Sequence, residues 1–265
     1  MRYLLGLWLA CQPWFAQAQS DPFPGVAASY QIEINGAAVW ERQSSLRLPP
    51  ASLTKLMTAL LVAEQGQPQD VVTVSRAAAQ ETGSRLGLKA GEKFLVKDLL
   101  VATLIASAND ACRALADALA GNQDRFVQRM NQRALALGLH NTHFLNACGH
   151  DATGHYSSAH DLALLAHAVL QQPLITGLTA QENARIATLD GAGSYEFKSK
   201  NALIGRYPGA LGLKTGYTPL AGKCLVAYAR RGTTQVLLVM LKGGDRWWDA
   251  VDMLDLAFAR ALNPP

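Results

Sequence analysis

Residues 49–62 read PPASLTKLMTALLV, two prolines followed by a serine and then by an apolar run with helical spacing. Ser52 and Lys55 are three positions apart, so they lie on one face of the helix that this run predicts. Ser52 would stand at the helix N-terminus, where backbone N–H groups have no partner within the helix. An amine beside a hydroxyl at this position could activate the hydroxyl as a nucleophile. A capping serine followed by a solvated lysine gives the same pattern, so the pair needs support from the rest of the chain.

The segments around this stretch predict an α+β fold. Residues 29–34 alternate in polarity and meet residues 37–41 across Asn35-Gly36, a strong hairpin signal. Further strand-forming segments stand at 71–74, 184–189, 195–200, 211–216, 224–230 and 234–241. Helical spacing covers 52–65, 99–105, 111–120, 123–137, 157–170 and 249–261. Strands at both ends with helices between them predict a sheet joined from both ends of the chain, with a helical lobe inserted at roughly 75–172.

Composition indicates a folded, exported protein. Of 265 residues, 49% are hydrophobic and 17% charged, and the net charge of +4 is mild and unclustered, which argues against a nucleic-acid partner.

The first 18 residues predict a secretory signal peptide: Arg2, an apolar stretch at 3–11, and Ala-Gln-Ala at 16–18 as the cleavage site. Nine apolar residues are too few for a stable membrane span, which needs about 20. An uncleaved surface anchor and a lipoprotein at Cys11 are the alternatives. We expect residues 19–265 to form the mature unit in the periplasm or elsewhere in the cell envelope.

Removal of the signal peptide leaves Cys112, Cys148 and Cys224. Three cysteines without short-spaced pairs match neither a disulfide framework nor a zinc site. At most one disulfide can form among them, and the pattern favours buried free thiols.

Two further polar clusters interrupt apolar elements. Ser107-Ala108-Asn109 breaks a predicted helix, and Lys214-Thr215-Gly216 ends a strand whose glycine allows a ligand to approach the backbone. Each alone has a plain structural explanation, the first as a helix cap and the second as a turn. Their joint presence in this order after Ser52 and Lys55 is much harder to ascribe to coincidence.

The set Ser-x-x-Lys, Ser-x-Asn and Lys-Thr-Gly resembles the penicillin-binding proteins and serine β-lactamases. Within this superfamily, the chain is similar to the low-molecular-mass D-alanyl-D-alanine carboxypeptidases and endopeptidases. Stretches that carry this similarity are 52–60, 87–92, 104–111, 141–144, 154–163 and 212–218. The resemblance implies a β-lactamase/transpeptidase-like fold, with an antiparallel sheet flanked by helices and an inserted all-helical lobe.

The resemblance also implies roles. Ser52 would be the nucleophile and Lys55 its general base, provided that desolvation and a nearby charge, expected from Lys214, lower its pKa. Ser107 would relay a proton to the leaving amine, and Asn109 would hold Lys55 and the substrate amide.

The family resemblance extends to substrate binding. The backbone N–H groups of Ser52 and Tyr217 would form the oxyanion hole. The substrate carboxylate would be bound by Lys214, Thr215 and Gly216, together with Arg246. For Arg246 the alternative interpretation is an arginine in a solvated loop that binds no substrate. Expected partners are peptidoglycan peptides ending in D-Ala-D-Ala and β-lactams as covalent inhibitors. No cofactor is expected.

Departures from the pattern define the rival functions. The Glu-x-x-Leu-Asn string of class A β-lactamases is absent, and the middle motif is Ser-Ala-Asn; both favour a peptidase over a β-lactamase. The chain ends at Pro265 directly after the last predicted helix, as in the D,D-endopeptidase branch, so cross-link cleavage is the main alternative. A non-catalytic peptidoglycan-binding protein is another alternative.

All six histidines lie between His140 and His167, but their spacing does not match His-Glu-x-x-His, so we expect no metal site.

Overall fold

The computed structural model describes residues 21–263, so the predicted signal peptide at 1–18 lies outside the described residues. The nine strands are β1 (Ala27–Ile34), β2 (Ala37–Arg42), β3 (Val71–Thr73), β4 (Lys93–Leu95), β5 (Asn183–Ala187), β6 (Ser194–Lys198), β7 (Ala210–Thr218), β8 (Gly222–Arg231) and β9 (Thr234–Gly243). The eight helices are α1 (Lys55–Gln65), α2 (Arg76–Ala79), α3 (Val96–Ile105), α4 (Asn109–Ala120), α5 (Gln123–Ala136), α6 (Ala159–Leu170), α7 (Pro173–Thr179) and α8 (Arg246–Leu262).

Five strands from the two ends of the chain form the central antiparallel sheet, in the order β2-β1-β9-β8-β7. Asn35 and Gly36, with φ of 51° and 83°, turn β1 into β2 as the sequence predicts. The α+β prediction with a sheet joined from both ends is therefore confirmed. β7 occupies one edge of the sheet, and its outer backbone groups have no neighbouring strand in the described sheet.

The sheet separates two apolar layers because successive side chains of a strand point to opposite faces. On β9, Leu238 and Met240 pack against α8, whereas Leu237 and Val239 pack into the larger core beneath the helical lobe. The helices of that lobe, α2–α6, occupy the chain between β3 and α7. The three motifs meet where the lobe and β7 pack against the turn at 51–54.

Several features differ from the sequence prediction, among them the short elements α2 and β4, which it omitted. The predicted strands at 184–189 and 195–200 do form, but β5 and β6 pair with each other outside the central sheet. They pack on α3, where the Lys200 N–H donates to the Ile105 carbonyl at 2.9 Å. α7 was not predicted because its proline reads as a break, although proline is well suited to the first turn of a helix. α8 begins at Arg246, earlier than expected, because Asp245 caps it.

The turn that carries Ser52 also differs from a regular α-helix. Residues Ala51–Thr54 form a 3-10 turn that continues into α1. Ala51 has a φ of 48°, a left-handed conformation that is unusual for a residue with a side chain. The entry to the helix is thus tightly constrained.

No single helix within 21–263 has both the length and the apolarity to cross a membrane. One pair, α6 with α7, reaches that length only together, and it is bent by 106°.

Candidate active site

Ser52 and Lys55 meet where the three motifs come together. Lys55 is the first residue of α1, and its Nζ lies 3.0 Å from Ser52 Oγ. The lysine side chain is fully buried, with 0% exposure. The same-face geometry expected from the three-residue spacing therefore occurs, across the junction between the 3-10 turn and α1.

Two oxygen atoms hold Lys55 Nζ from the other side. Asn109 Oδ1 accepts at 2.7 Å and the Cys148 carbonyl at 2.6 Å. The Asn109 amide is oriented by its own Nδ2, which donates to the Thr82 carbonyl, so Oδ1 faces the lysine. Neither of these acceptors has a proton to give. A neutral amine has two N–H groups, which these oxygens take, and one lone pair, which then points to the Ser52 hydroxyl. The arrangement is that of a general base next to a nucleophile.

Burial lowers the pKa of Lys55 to about 7, and the charge of Lys200 acts in the same direction. Glu81 and Asp110 oppose this shift. The charge expected from Lys214 is thus joined by that of Lys200, and Lys55 and Lys214 also repel each other, since Lys55 is among the charges that lower the pKa of Lys214. Lys214 is itself fully buried, and burial, with Lys55, Lys200 and Arg246 nearby, holds its pKa well below the usual range.

Ser107 lies in the short connection between α3 and α4, buried and with a φ of 59°. Such a backbone conformation costs free energy in a residue with a side chain and is often found at functional sites. The structure places the Ser107 hydroxyl two residues before Asn109, which holds Lys55, but does not itself show the relay.

A neighbouring loop fixes this connection. The Asn109 N–H donates to the Ser84 carbonyl at 2.6 Å. The buried Asp110 carboxylate accepts backbone N–H groups from Gly87 at 2.8 Å and from Leu88 at 3.0 Å. A buried carboxylate needs such donors, since it is otherwise strongly destabilised. These contacts fix the backbone at Asn109 and so hold the Asn109 side chain in position.

At Gly216, β7 lies directly against the Ala51–Thr54 turn that carries Ser52. A Cβ at Gly216 would lie 3.0 Å from Ala51 Cβ and 3.1 Å from Ser52 N, so a side chain here would push the turn that carries Ser52 away by a few tenths of an ångström. Lys214 and Thr215 precede it and are buried, and Lys214 Nζ donates to the Thr215 carbonyl at 2.9 Å. Tyr217 follows and its side chain is exposed. The two backbone segments expected to supply the oxyanion hole are therefore adjacent.

Arg246 is the first residue of α8 and contacts β7, so it does not lie in a solvated loop. Its Nη1 donates to the carbonyls of Gly216 at 2.7 Å and Cys224 at 3.1 Å. Its guanidinium stacks on Trp247 at 4.4 Å. Arg246 Nε is buried without a partner in the described chain. A cation with spare hydrogen-bonding capacity next to β7 suits an anionic group of a ligand.

The residue pair that the sequence does not reveal is Cys148-Gly149. Gly149 has a φ of 88°, and a Cβ there would lie 1.9 Å from the Ala51 carbonyl oxygen. Cys148 contributes its carbonyl to Lys55 and forms a disulfide with Cys112 on α4, with Cα atoms 6.0 Å apart. The free-thiol interpretation is therefore wrong for these two cysteines. They are 36 positions apart and carry no motif, so only the fold brings them together.

Cys224 is the cysteine to which the free-thiol interpretation applies, and burial raises the pKa of its thiol to about 11.

The histidines have separate structural contacts. His155 Nδ1 accepts from the Leu145 N–H at 3.0 Å, so its Nε2 carries the proton shared with Thr54 Oγ1 at 2.9 Å. Burial lowers the pKa of His155 to about 4. His150 and His167 bind Glu81 and Glu33.

Comparisons with known proteins agree on one family. The family model described as D-alanyl-D-alanine carboxypeptidase matches residues 20–244. The D-alanyl-D-alanine carboxypeptidase DacF of Bacillus subtilis is 37% identical over 87% of this chain and 61% of its own length. DacB2 of Mycobacterium tuberculosis, of the same description, is 34% identical over 93% of this chain and 87% of its own. The chain thus spans less than two thirds of the first of these relatives.

A solved structure shows the same architecture. The crystal structure of the Streptomyces K15 DD-transpeptidase superposes with a TM-score of 0.84 and 29% sequence identity. The match covers 91% of this chain and 100% of that one.

Proposed function

The chain belongs to the D-alanyl-D-alanine carboxypeptidase family, and from that membership we propose that it is a serine carboxypeptidase of peptidoglycan stem peptides. It removes the terminal D-alanine through an acyl-enzyme on Ser52. The observation that carries this proposal is the environment of Lys55 Nζ, 3.0 Å from Ser52 Oγ and 2.7 and 2.6 Å from two oxygen acceptors. That environment suits a neutral amine ready to accept the serine proton.

Acylation begins when Ser52 Oγ attacks the carbonyl carbon of the penultimate D-alanine while its proton passes to Lys55. The oxyanion that forms accepts hydrogen bonds from the backbone N–H groups of Ser52 and Tyr217; one such donor is typically worth about 100- to 1,000-fold in rate. The proton then moves from Lys55 through the Ser107 hydroxyl to the amide nitrogen. The C–N bond breaks, and D-alanine leaves as a free amine.

Deacylation returns the enzyme to its starting state. Water attacks the Ser52 ester while Lys55 again accepts a proton. The bond between the carbonyl carbon and Ser52 Oγ then breaks, Lys55 returns that proton to Oγ, and the shortened peptide leaves with a new carboxylate. Asn109 holds Lys55 throughout and contributes to binding of the substrate amide.

The free edge of β7 explains how the peptide is held. An extended backbone can pair with an open sheet edge, which places its residues in register along the strand. Lys214, Thr215 and Arg246 then receive the terminal carboxylate. Lys214 can bind it as a cation because an incoming anion offsets the cost of its buried charge.

A location in the cell envelope fits this function. The disulfide between Cys112 and Cys148 is of a kind that persists in oxidising compartments. β-Lactams present the same electrophilic carbonyl to Ser52 and are expected to form a stable ester with it.

Labelling by a fluorescent penicillin tests the proposal. Wild type should become covalently labelled once per chain, and Ser52→Ala should abolish the label. Ser44→Ala is a matched control, because the Ser44 hydroxyl bonds Glu41 on the surface. An unlabelled wild type would contradict the enzymatic function.

Mass spectrometry of peptidoglycan digests then identifies the reaction. Release of one alanine from pentapeptides is the expected result. Conversion of cross-linked dimers into monomers without alanine release would instead support a D,D-endopeptidase. Repeated turnover of nitrocefin would support a β-lactamase.

A further inference from the structure

Lys200 lies outside the three motifs but is bound to the segment that contains the second of them. It follows the β5–β6 hairpin by two residues. Its backbone N–H donates to the Ile105 carbonyl at 2.9 Å, at the end of α3. Its Nζ donates to Ser84 Oγ. Both the backbone and the side chain of Lys200 therefore contact the surroundings of the α3–α4 connection.

Ser84 transmits this contact to Asn109. Ser84 Oγ donates to the Ala106 carbonyl at 3.1 Å, and the Ser84 carbonyl accepts the Asn109 N–H at 2.6 Å. The Ser107 and Asn109 segment is thus bonded to Ser84, and Ser84 is bonded to Lys200. A change at Lys200 would reach Asn109 through a single intervening residue.

Lys200 also adds positive charge beside the two buried lysines. Its ammonium acts to lower the pKa of both Lys55 and Lys214. The anions that face Lys55 from other elements are Glu81 and Asp110, and both act in the opposite direction. Glu81 is itself paired with His150 and Arg113, and Asp110 is held by backbone N–H groups.

We propose that Lys200 is a positioning residue of the proposed carboxypeptidase site. From the end of the β5–β6 hairpin it fixes Ser84, and through Ser84 the Asn109 segment, and its charge keeps Lys55 in the form that accepts the Ser52 proton. This inference rests on the proposed function. It assigns a role in the chemistry to a hairpin that lies outside the central sheet.

The test is the pH dependence of acylation by a fluorescent penicillin, measured for Lys200→Met, Lys200→Arg and wild type. Loss of the charge makes protonated Lys55 more stable, so the midpoint of the Lys200→Met profile should move up by about half a pH unit, or about threefold in rate at pH 6. Lys200→Arg should restore the wild-type midpoint. Lys198→Met, which removes an exposed lysine from β6 two positions away, should leave the profile unchanged.

Ionic strength offers a second measurement, whose first arm uses the wild type alone. Salt screens exposed charges, so the wild-type midpoint should rise with added salt, whereas that of Lys200→Met should not. An unchanged midpoint in Lys200→Met, or a rate reduced equally at every pH, would overturn the electrostatic role. A wild type that is not labelled at any pH would instead refute the proposed function itself.

Discussion

At the scale of single residues, the decisive property is the protonation state of Lys55. Its three neighbours at Nζ are two pure acceptors and one hydroxyl. An ammonium would donate to all three and could not accept the Ser52 proton. The neutral amine satisfies the same three contacts and can accept it. Burial therefore sets the chemistry by choosing between these two forms.

The pH dependence of acylation follows from that choice. Burial lowers the pKa of Lys55 to about 7, so the reactive neutral form is lost as pH falls through 7 and is complete well above it. We expect the acylation rate to fall about tenfold for each pH unit below the midpoint. Stopped-flow labelling between pH 5 and 9 measures this, with melting temperatures as a check that the fold persists. A flat rate across that range would contradict Lys55 as the base.

Much of this residue-scale site could be predicted from the sequence, and the reason is chemical. Ser52, Lys55 and Asn109 act through their side chains, whose identity and spacing are written in the chain. The Cys148 contribution could not be predicted because it is a backbone carbonyl, which every residue possesses. Lys200 could not be predicted either, since a single lysine after a strand has no pattern of its own.

At the scale of elements, the loop containing residues 146–151 presses against the turn that carries Ser52. Asn146 Oδ1 accepts the Gly149 N–H at 2.7 Å and the His150 N–H at 3.0 Å, which folds the loop back on itself. Gly149 is then so close to Ala51 that no side chain fits between them. Loop and turn therefore behave as one packed unit, with Lys55 enclosed by both.

Gly149→Ala should disrupt that unit. Its new Cβ would meet the Ala51 carbonyl oxygen at 1.9 Å, so the loop or the nucleophile turn must move, and we expect acylation to fall by about 100-fold. Gly154→Ala is the matched control. Gly154 has a nearly identical φ of 90°, but its Cβ would meet only Leu145 Cδ1 at 3.6 Å. It should cost about 1 kcal/mol of stability and little activity.

Acylation rates and melting temperatures of the two variants separate the effects. Backbone strain is common to both glycines, so the difference between them reports the contact with Ala51. Equal rates in the two variants would show that the close approach has no bearing on the nucleophile.

At the scale of the whole molecule, the chain ends build the sheet and the middle builds the lobe, an order that the strand and helix patterns predict well. The positions of β5 and β6 were harder to predict. Their residues favour strands, yet nothing local indicates which strand each will pair with, because pairing depends on distant edges. Their place beside α3 is a property of the assembled molecule.

Within the lobe, the disulfide covalently links α4 to the 146–151 loop, and both segments contact Lys55. Cys112 lies one turn beyond Asn109 on α4, and Cys148 supplies the carbonyl that accepts from Lys55. Replacing both cysteines by serine should lower the free energy of unfolding by about 3 kcal/mol. We also expect acylation to slow by about tenfold, because both acceptors of Lys55 lose a shared constraint.

Denaturant unfolding and labelling rates measure these two effects, with Cys224→Ser as the single-cysteine control. Cys224 is free and buried on β8, so its replacement leaves the disulfide intact. If the double variant acylates at the wild-type rate, the disulfide serves stability alone.

The same disulfide can form only at a particular stage in the life of the protein. Thiols remain reduced in the cytosol and form disulfides in oxidising compartments. If the chain is exported as its first 18 residues predict, Cys112 and Cys148 would be unlinked while it is being made. Peptides of the same chemistry inside the cell would meet an enzyme whose base is not yet fully constrained. Under the proposed function, oxidation would then be the final assembly step, and full acylation activity would begin only in the compartment that contains the cell wall.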